Sequence, residues 1–260
     1  MNVKEYRKQI ESRVNYRGEP AALATSVPDD GNREADWSEV LKNLANVDLD
    51  PVERRQAFQI MQAASFLGPQ FAPLHARYLD VLRQLAIDAD GSLRRMALDA
   101  LSNRKDEFAR KRLTDGLRNA SEALVPPAVA LGFLARDDHG SAHEIARTLL
   151  SESTDVPVRE QAVRVLGGAP DATSLLDAVM RDKKEFRRVR RASAVALRAL
   201  DLQKFEQGAR DILNDRSDFH DIKSTVAAAL QRSSSSLEIL PTTPTPATQP
   251  PAQPGNRNDP

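Results

Sequence analysis

The chain has 260 residues, no cysteine, and equal numbers of basic and acidic residues, 37 of each. These values exclude a disulfide framework, a thiolate metal site and a strong overall attraction to nucleic acid. No apolar run approaches the roughly 18 residues needed to span a membrane, and the first residues lack the apolar stretch of a secretory signal. The sequence therefore predicts a cytoplasmic protein without a membrane segment.

The two ends of the chain differ in character from its centre. Residues 1–35 are predicted to be a loosely ordered N-terminal segment, because turn-forming clusters such as residues 28–32 interrupt it. Helical periodicity begins near residue 36, and a second helix is predicted from Pro51 to about Leu67. Residues 233–260 are rich in Pro, Ser and Thr, which predicts a disordered tail. Between these ends, residues 36–232 alternate helical patterns with short breaks, which predicts an all-α fold.

Five helical segments recur at nearly constant intervals in this central region. They open at Leu93, Leu124, Val158, Val189 and Ile222, so the steps are 31, 34, 31 and 33 residues. A period between twenty and fifty residues indicates stacked structural repeats. Four residues after each opening stands a small or modest side chain: Ala97, Ala128, Ala162, Ser193 and Val226. The apolar arc of these helices is wider than a lone surface helix needs, which predicts burial on two sides.

A basic residue follows the opening position in four of the five segments, as Arg94, Arg159, Arg190 and Lys223. This position could form a phosphate-binding row, but it lies inside the apolar arc, where only the head of the side chain would reach solvent. We therefore favour a row of ion pairs between repeats. Upstream aspartates such as Asp90, Asp155 and Asp218 are candidate helix caps or partners. The Val189 segment lacks an aspartate at that spacing, which makes an ion pair there less expected.

The pattern Asp-x-x-Val-Arg-x-x-Ala-x-x-x-Leu, seen at residues 155–166 and in similar form at 90–101, resembles the HEAT repeat, particularly its short bacterial form. The resemblance covers about residues 70–232, with a weaker opening at 36–69. It implies antiparallel helix pairs stacked into a curved, right-handed α-solenoid whose second helices line the concave side. The Leu124 segment departs from the pattern at Pro126 and Pro127, and its helix is predicted to start around these prolines, because a helix tolerates proline only in its first turn.

One segment carries most of the candidate binding residues. Around residues 181–198 a cluster of positive side chains predicts a patch for carboxylate or phosphate groups. The candidate partner-binding residues are Lys183, Lys184, Arg187, Arg188, Arg191 and Arg198. Because the equivalent positions of other repeats are not consistently basic, no continuous track is predicted, and nucleic-acid binding through this patch alone would be weak and salt-sensitive. A solvated helix face is the other interpretation of this cluster.

His139 and His143 are the one pair with the spacing of metal ligands. Gly140 and Ser141 indicate a break between them, and no second His/Glu cluster completes a coordination set, so no metal and no other cofactor is predicted. The sequence favours a non-catalytic protein–protein scaffold or adaptor, with an acidic partner expected. Two alternatives come from the resemblance: nucleic-acid binding, as in HEAT-like DNA glycosylases, and an enzyme of the phycobilin lyase type.

Overall fold

A computed structural model describes residues 33–136 and 140–237 of the chain. Within these residues the protein is all-α, with twelve α-helices, four short 3₁₀ helices and no strand, which confirms the predicted all-α class. The α-helices are α1 (Arg33–Ala45), α2 (Pro51–Ala64), α3 (His75–Leu85), α4 (Gly91–Ser102), α5 (Glu107–Arg118), α6 (Pro127–Leu134), α7 (Gly140–Glu152), α8 (Val156–Leu166), α9 (Thr173–Arg181), α10 (Arg187–Leu200), α11 (Leu202–Asn214) and α12 (His220–Leu237). No helix in these two ranges is long and apolar enough to cross a membrane.

The predicted domain boundaries fall near the ends of the described residues. Helix α1 begins at Arg33, three residues before the predicted start at 36, and α12 continues to Leu237, five residues beyond the predicted end at 232. The rest of the predicted N-terminal segment, 1–32, and of the predicted tail, 238–260, lies outside the described residues.

The helices pack as hairpins, each odd-numbered helix against the even-numbered helix that follows it. In addition, each even-numbered helix contacts the next one, so that α2, α4, α6, α8, α10 and α12 pack in file. Short connections join the two helices of a hairpin, which is typical of helix–helix loops in compact domains. The even-numbered helices are therefore buried on two sides, as their wide apolar arcs predict.

Aspartate caps fix where several helices begin. The Asp90 carboxylate accepts a hydrogen bond from the Leu93 N–H at 2.7 Å, and Asp155 accepts one from Val158 at 3.4 Å. These contacts satisfy backbone donors that have no partner within the first helical turn. Two aspartates that the sequence analysis singled out as candidate caps are thus confirmed in that role.

The register predicted for the Leu124 segment, which forms α6, was wrong by two residues. Helix α6 begins at Pro127, so Ala130 and Leu134 occupy the buried places that Ala97 and Leu101 occupy in α4. The opening positions become Leu93, Pro126, Val158, Val189 and Ile222, at steps of 33, 32, 31 and 33 residues. The helix start at the two prolines is confirmed, because proline lacks an N–H and clashes within a helix interior. The opening position therefore cannot lie upstream at Leu124.

An aromatic cluster lies in the core between the first two hairpins. The ring of Tyr78 meets that of Phe71 edge-on, with centroids 5.5 Å apart, and Phe71 also contacts Trp37 at 6.0 Å. Both are ring geometries that add to the stabilisation from burial. Burial raises the pKa of Tyr78 to about 12, although nearby Arg104 acts to lower it.

Replacing Tyr78 with phenylalanine is expected to change the alkaline stability of the protein. Because the folded-state pKa lies above the ordinary value of 10.0, ionisation of the Tyr78 hydroxyl favours the unfolded chain, so the original protein loses stability as the pH rises from 10.0 towards about 12. Thermal melts should show a steeper fall in melting temperature above pH 10.0 for the original protein than for Tyr78→Phe. Equal slopes in the two proteins would contradict this assignment.

Candidate functional site

Buried arginines connect consecutive hairpins, and Arg190 on α10 is the most enclosed of them. Its guanidinium is fully buried and forms two parallel hydrogen bonds to the Asp218 carboxylate, at 2.8 and 2.7 Å. Its Nε atom donates to the carbonyl of Met180 at 2.8 Å. Arg190 therefore joins the end of α9 to the turn between α11 and α12. These hydrogen bonds hold the pKa of Asp218 below its ordinary value, despite the opposing effect of burial.

Arg159 on α8 and Arg54 on α2 make equivalent contacts. Arg159 pairs with Glu185, which lies in the turn before α10, and Arg54 pairs with Asp88 in the turn before α4 at 2.5 Å. Arg94 on α4 instead donates to the carbonyl of Leu124 at 2.7 Å. Each arginine thus reaches from one hairpin to the next, and bidentate geometry of this kind suits the planar guanidinium.

These contacts support ion pairs between repeats, and they correct two details of the sequence interpretation. The Arg190 head does not reach solvent but is buried with its partner. The ion pair of the Val189 segment was considered less expected because no aspartate precedes that segment, yet Arg190 forms the most buried pair. Its partner, Asp218, belongs to the following hairpin. Arg54 was not predicted, because its helix α2 precedes the five regularly spaced segments.

The predicted basic patch divides into two groups in the structure. Lys183 and Lys184 lie in the turn before α10, and Arg187 is the first residue of that helix. Lys183 pairs with Asp215 and donates to the Ser217 hydroxyl at 2.6 Å. The Arg187 guanidinium lies 4.2 Å from the centroid of the Phe219 ring and 3.8 Å from Asp221. Lys183 and Arg187 therefore contact the neighbouring hairpin already.

Arg188, Arg191 and Arg198 lie on α10 itself. Arg188 and Arg191 are exposed, and Arg198 is half-buried. The Arg188 guanidinium crosses to α8, where it contacts the Glu160 carboxylate at 2.8 Å. Arg188 and Arg191 share the solvent-facing side of α10 with Val195. The structure thus connects Arg188 to the preceding even-numbered helix, α8.

A groove of about 430 Å³ runs across the exposed faces of α4, α6, α8 and α10. Its floor consists largely of small or apolar residues of α6 and α8, and its edges carry four arginines and one glutamate. The lining residues are Arg95, Ala128, Val129, Gly132, Phe133, Arg136, Pro157, Glu160, Gln161, Arg164 and Arg188. Three of the arginines, Arg95, Arg136 and Arg164, are not among the residues predicted from sequence. We call this surface the arginine groove.

Acidic and aromatic neighbours hold three of the groove arginines in place. The Glu160 carboxylate contacts Arg164 at 2.5 Å through one oxygen and Arg188 at 2.8 Å through the other. Arg136 contacts Asp99 at 2.5 Å, donates to the Asn103 side chain at 3.0 Å, and lies 5.2 Å from the centroid of the Phe133 ring. Glu160 is buried, whereas Arg164 and Arg188 remain well exposed. The guanidiniums are therefore positioned yet accessible.

The exposed guanidinium groups of this surface can bind anionic groups. Guanidinium groups donate in a fixed fork that matches carboxylates and phosphates. Within residues 33–136 and 140–237, no group of three His, Cys, Asp or Glu side chains is placed to hold a metal ion. His139, one of the two histidines weighed as ligands, lies outside the described residues.

No protein-family model matches the sequence, and no curated protein is significantly similar to it.

Proposed function

We propose that this chain is a HEAT-like α-solenoid, a curved right-handed stack of helical hairpins, and that it acts as a non-catalytic scaffold or adaptor for another protein. One observation carries the proposal: the even-numbered helices pack in file, and each leaves one face exposed. In stacked-repeat proteins this arrangement provides an extended binding surface whose side chains are held at fixed spacings.

The buried ion pairs support the same function. Arg54, Arg159 and Arg190 each tie one hairpin to the next through a carboxylate of the following turn. Such links between neighbours oppose sliding of one hairpin past another. A surface that spans several hairpins then keeps its shape when a partner binds, which lowers the entropic cost of association.

The partner contacts the arginine groove and the adjoining face of α10. Arg188 and Arg191, from the patch predicted by sequence, contribute together with Arg95, Arg136 and Arg164. Arginine is enriched in protein interfaces because it combines a charged head with a long apolar stem.

The test is reconstitution of a complex from purified components. Proteins captured by the full chain from a lysate of its source cells are produced separately and mixed with it on a size-exclusion column. We expect at least one to co-elute with the chain at fixed stoichiometry and to remain chemically unchanged. If no captured protein forms a complex with the purified chain, or if the captured protein is covalently altered, the scaffold function is wrong.

A further inference from the structure

The arginine groove has a size, a charge and a chemistry that together define its occupant. It crosses four even-numbered helices, from Arg95 on α4 to Arg188 on α10. Arg95 and Arg188 are the groove residues of the two outer helices, and at about 8–10 Å between adjacent packed helices the axes of α4 and α10 lie roughly 24–30 Å apart. An extended chain rises about 3.3 Å per residue, so about eight residues bridge this distance.

The charge of the groove favours an acidic occupant. Four arginines line it, and two carboxylates contact them: Glu160, which lines the groove, and Asp99, which contacts Arg136 from beside it. Because Glu160 contacts two of those arginines at once, it orders both side chains while neutralising only one positive charge. Arginines that are already ordered lose less conformational freedom when they bind a carboxylate.

The floor of the groove favours a peptide over a nucleic acid. Ala128, Val129 and Gly132 provide a small apolar surface between the arginines. Single-stranded nucleic acids need exposed aromatic faces on which bases stack, and the one aromatic ring of the groove, Phe133, is buried.

We propose that the arginine groove binds an extended acidic segment of a partner protein, about eight residues long, with apolar side chains between its carboxylates. The inference rests on the proposed scaffold function and specifies its ligand. The carboxylates pair with Arg136, Arg164 and Arg188, and the apolar side chains lie on Val129 and the surface around Gly132.

The experiment measures fluorescence anisotropy with a labelled octapeptide in which glutamate and leucine alternate. The full chain is compared with the double variant Arg136→Glu/Arg164→Glu, and circular dichroism checks that both are folded. Arg210→Glu is the matched control, because Arg210 also pairs with a glutamate four residues earlier and is similarly exposed, 66% against 60% for Arg164. Arg210 lies on α11, outside the groove.

We expect the double variant to bind the peptide at least tenfold more weakly, the control to stay within about twofold, and added salt to weaken binding. A peptide in which lysine replaces glutamate should bind the double variant better than the original protein, which a merely structural role for these arginines would not produce. The milder variant Arg136→Gln/Arg164→Gln should give an intermediate loss.

Two results would overturn the inference: equal peptide affinity in the original protein and the double variant, or tighter binding of an eight-nucleotide oligothymidylate than of the acidic peptide. If the peptide fails to bind while a captured partner still forms a complex, the acidic-segment inference fails and the scaffold function stands. If neither binds, both fail.

Discussion

Replacing Arg190 with alanine is expected to lower the free energy of unfolding by about 3–5 kcal/mol, because it leaves a buried carboxylate without its partner. Asp218 is almost fully buried and receives both of its charged hydrogen bonds from Arg190. Urea titration of the full chain, followed by circular dichroism at pH 7, measures the change. Arg210→Ala is the control, since that exposed pair should contribute less than about 1 kcal/mol.

Two further results are expected for the Arg190–Asp218 pair. Removing both charges, as in Arg190→Met/Asp218→Leu, should cost less than Arg190→Ala alone, because no unpaired charge remains buried. The folded-state pKa of Asp218 lies below the ordinary 3.8, so the pair stabilises the fold above that pH and loses its contribution as the pH falls. The difference between the original protein and Arg190→Ala should therefore shrink in acid. Equal losses for Arg190→Ala and Arg210→Ala would refute the interpretation.

Replacing Ala130 with aspartate is expected to destabilise the protein by several kcal/mol, because it places an unpaired carboxylate in the core. Ala130 is 4% exposed and lies where α6 packs against its neighbours. The same urea titration measures the effect. If the variant shows no cooperative unfolding transition in urea, it no longer folds, and this result also agrees with the prediction.

Ala128→Asp is the matched control, two residues away on the same helix. Ala128 is half-buried and lines the arginine groove, so its replacement should change the free energy of unfolding by less than about 1 kcal/mol. The two substitutions distinguish the registers directly. The register predicted from sequence makes Ala128 the close-packed position, and a larger loss for Ala128→Asp than for Ala130→Asp would restore it.

The fold class could be predicted from sequence because helical periodicity is a local signal. Apolar spacing, proline at first-turn positions and capping aspartates such as Asp90 act within a few residues of each other. The buried pairs were harder to predict, since the partners lie in a neighbouring hairpin at varying separations. The separation is 26 residues for Arg159 and Glu185, 28 for Arg190 and Asp218, and 34 for Arg54 and Asp88.

The arginine groove was missed for a geometric reason. A helix turns about 100° per residue, so the two-residue error in the register of α6 rotated Arg136 by about 160° away from its true face. If the helical rotation of α6 is continued two residues past its end at Leu134, then Arg95, Arg136, Arg164 and Arg188 fall within an arc of about 80° in the correct register. The sequence therefore contained a signal for the groove, which depends on the register that the Pro126–Pro127 pair gives to α6. The contacts that hold the arginines, such as the shared Glu160, depend on helix packing and could not be predicted from spacing.

The file of even-numbered helices can be tested most directly by distances between spin labels, since the chain contains no native cysteine. Labels are attached at cysteines replacing Arg95 and Arg191, or Arg95 and Ser224, all exposed positions on α4, α10 and α12. If the helices pack in file at about 8–10 Å per step, both distances should exceed roughly 20 Å, and the Arg95–Ser224 distance should be the longer. An Arg95–Ser224 distance shorter than the Arg95–Arg191 distance would mean that α12 folds back on α4, which contradicts the stacked arrangement.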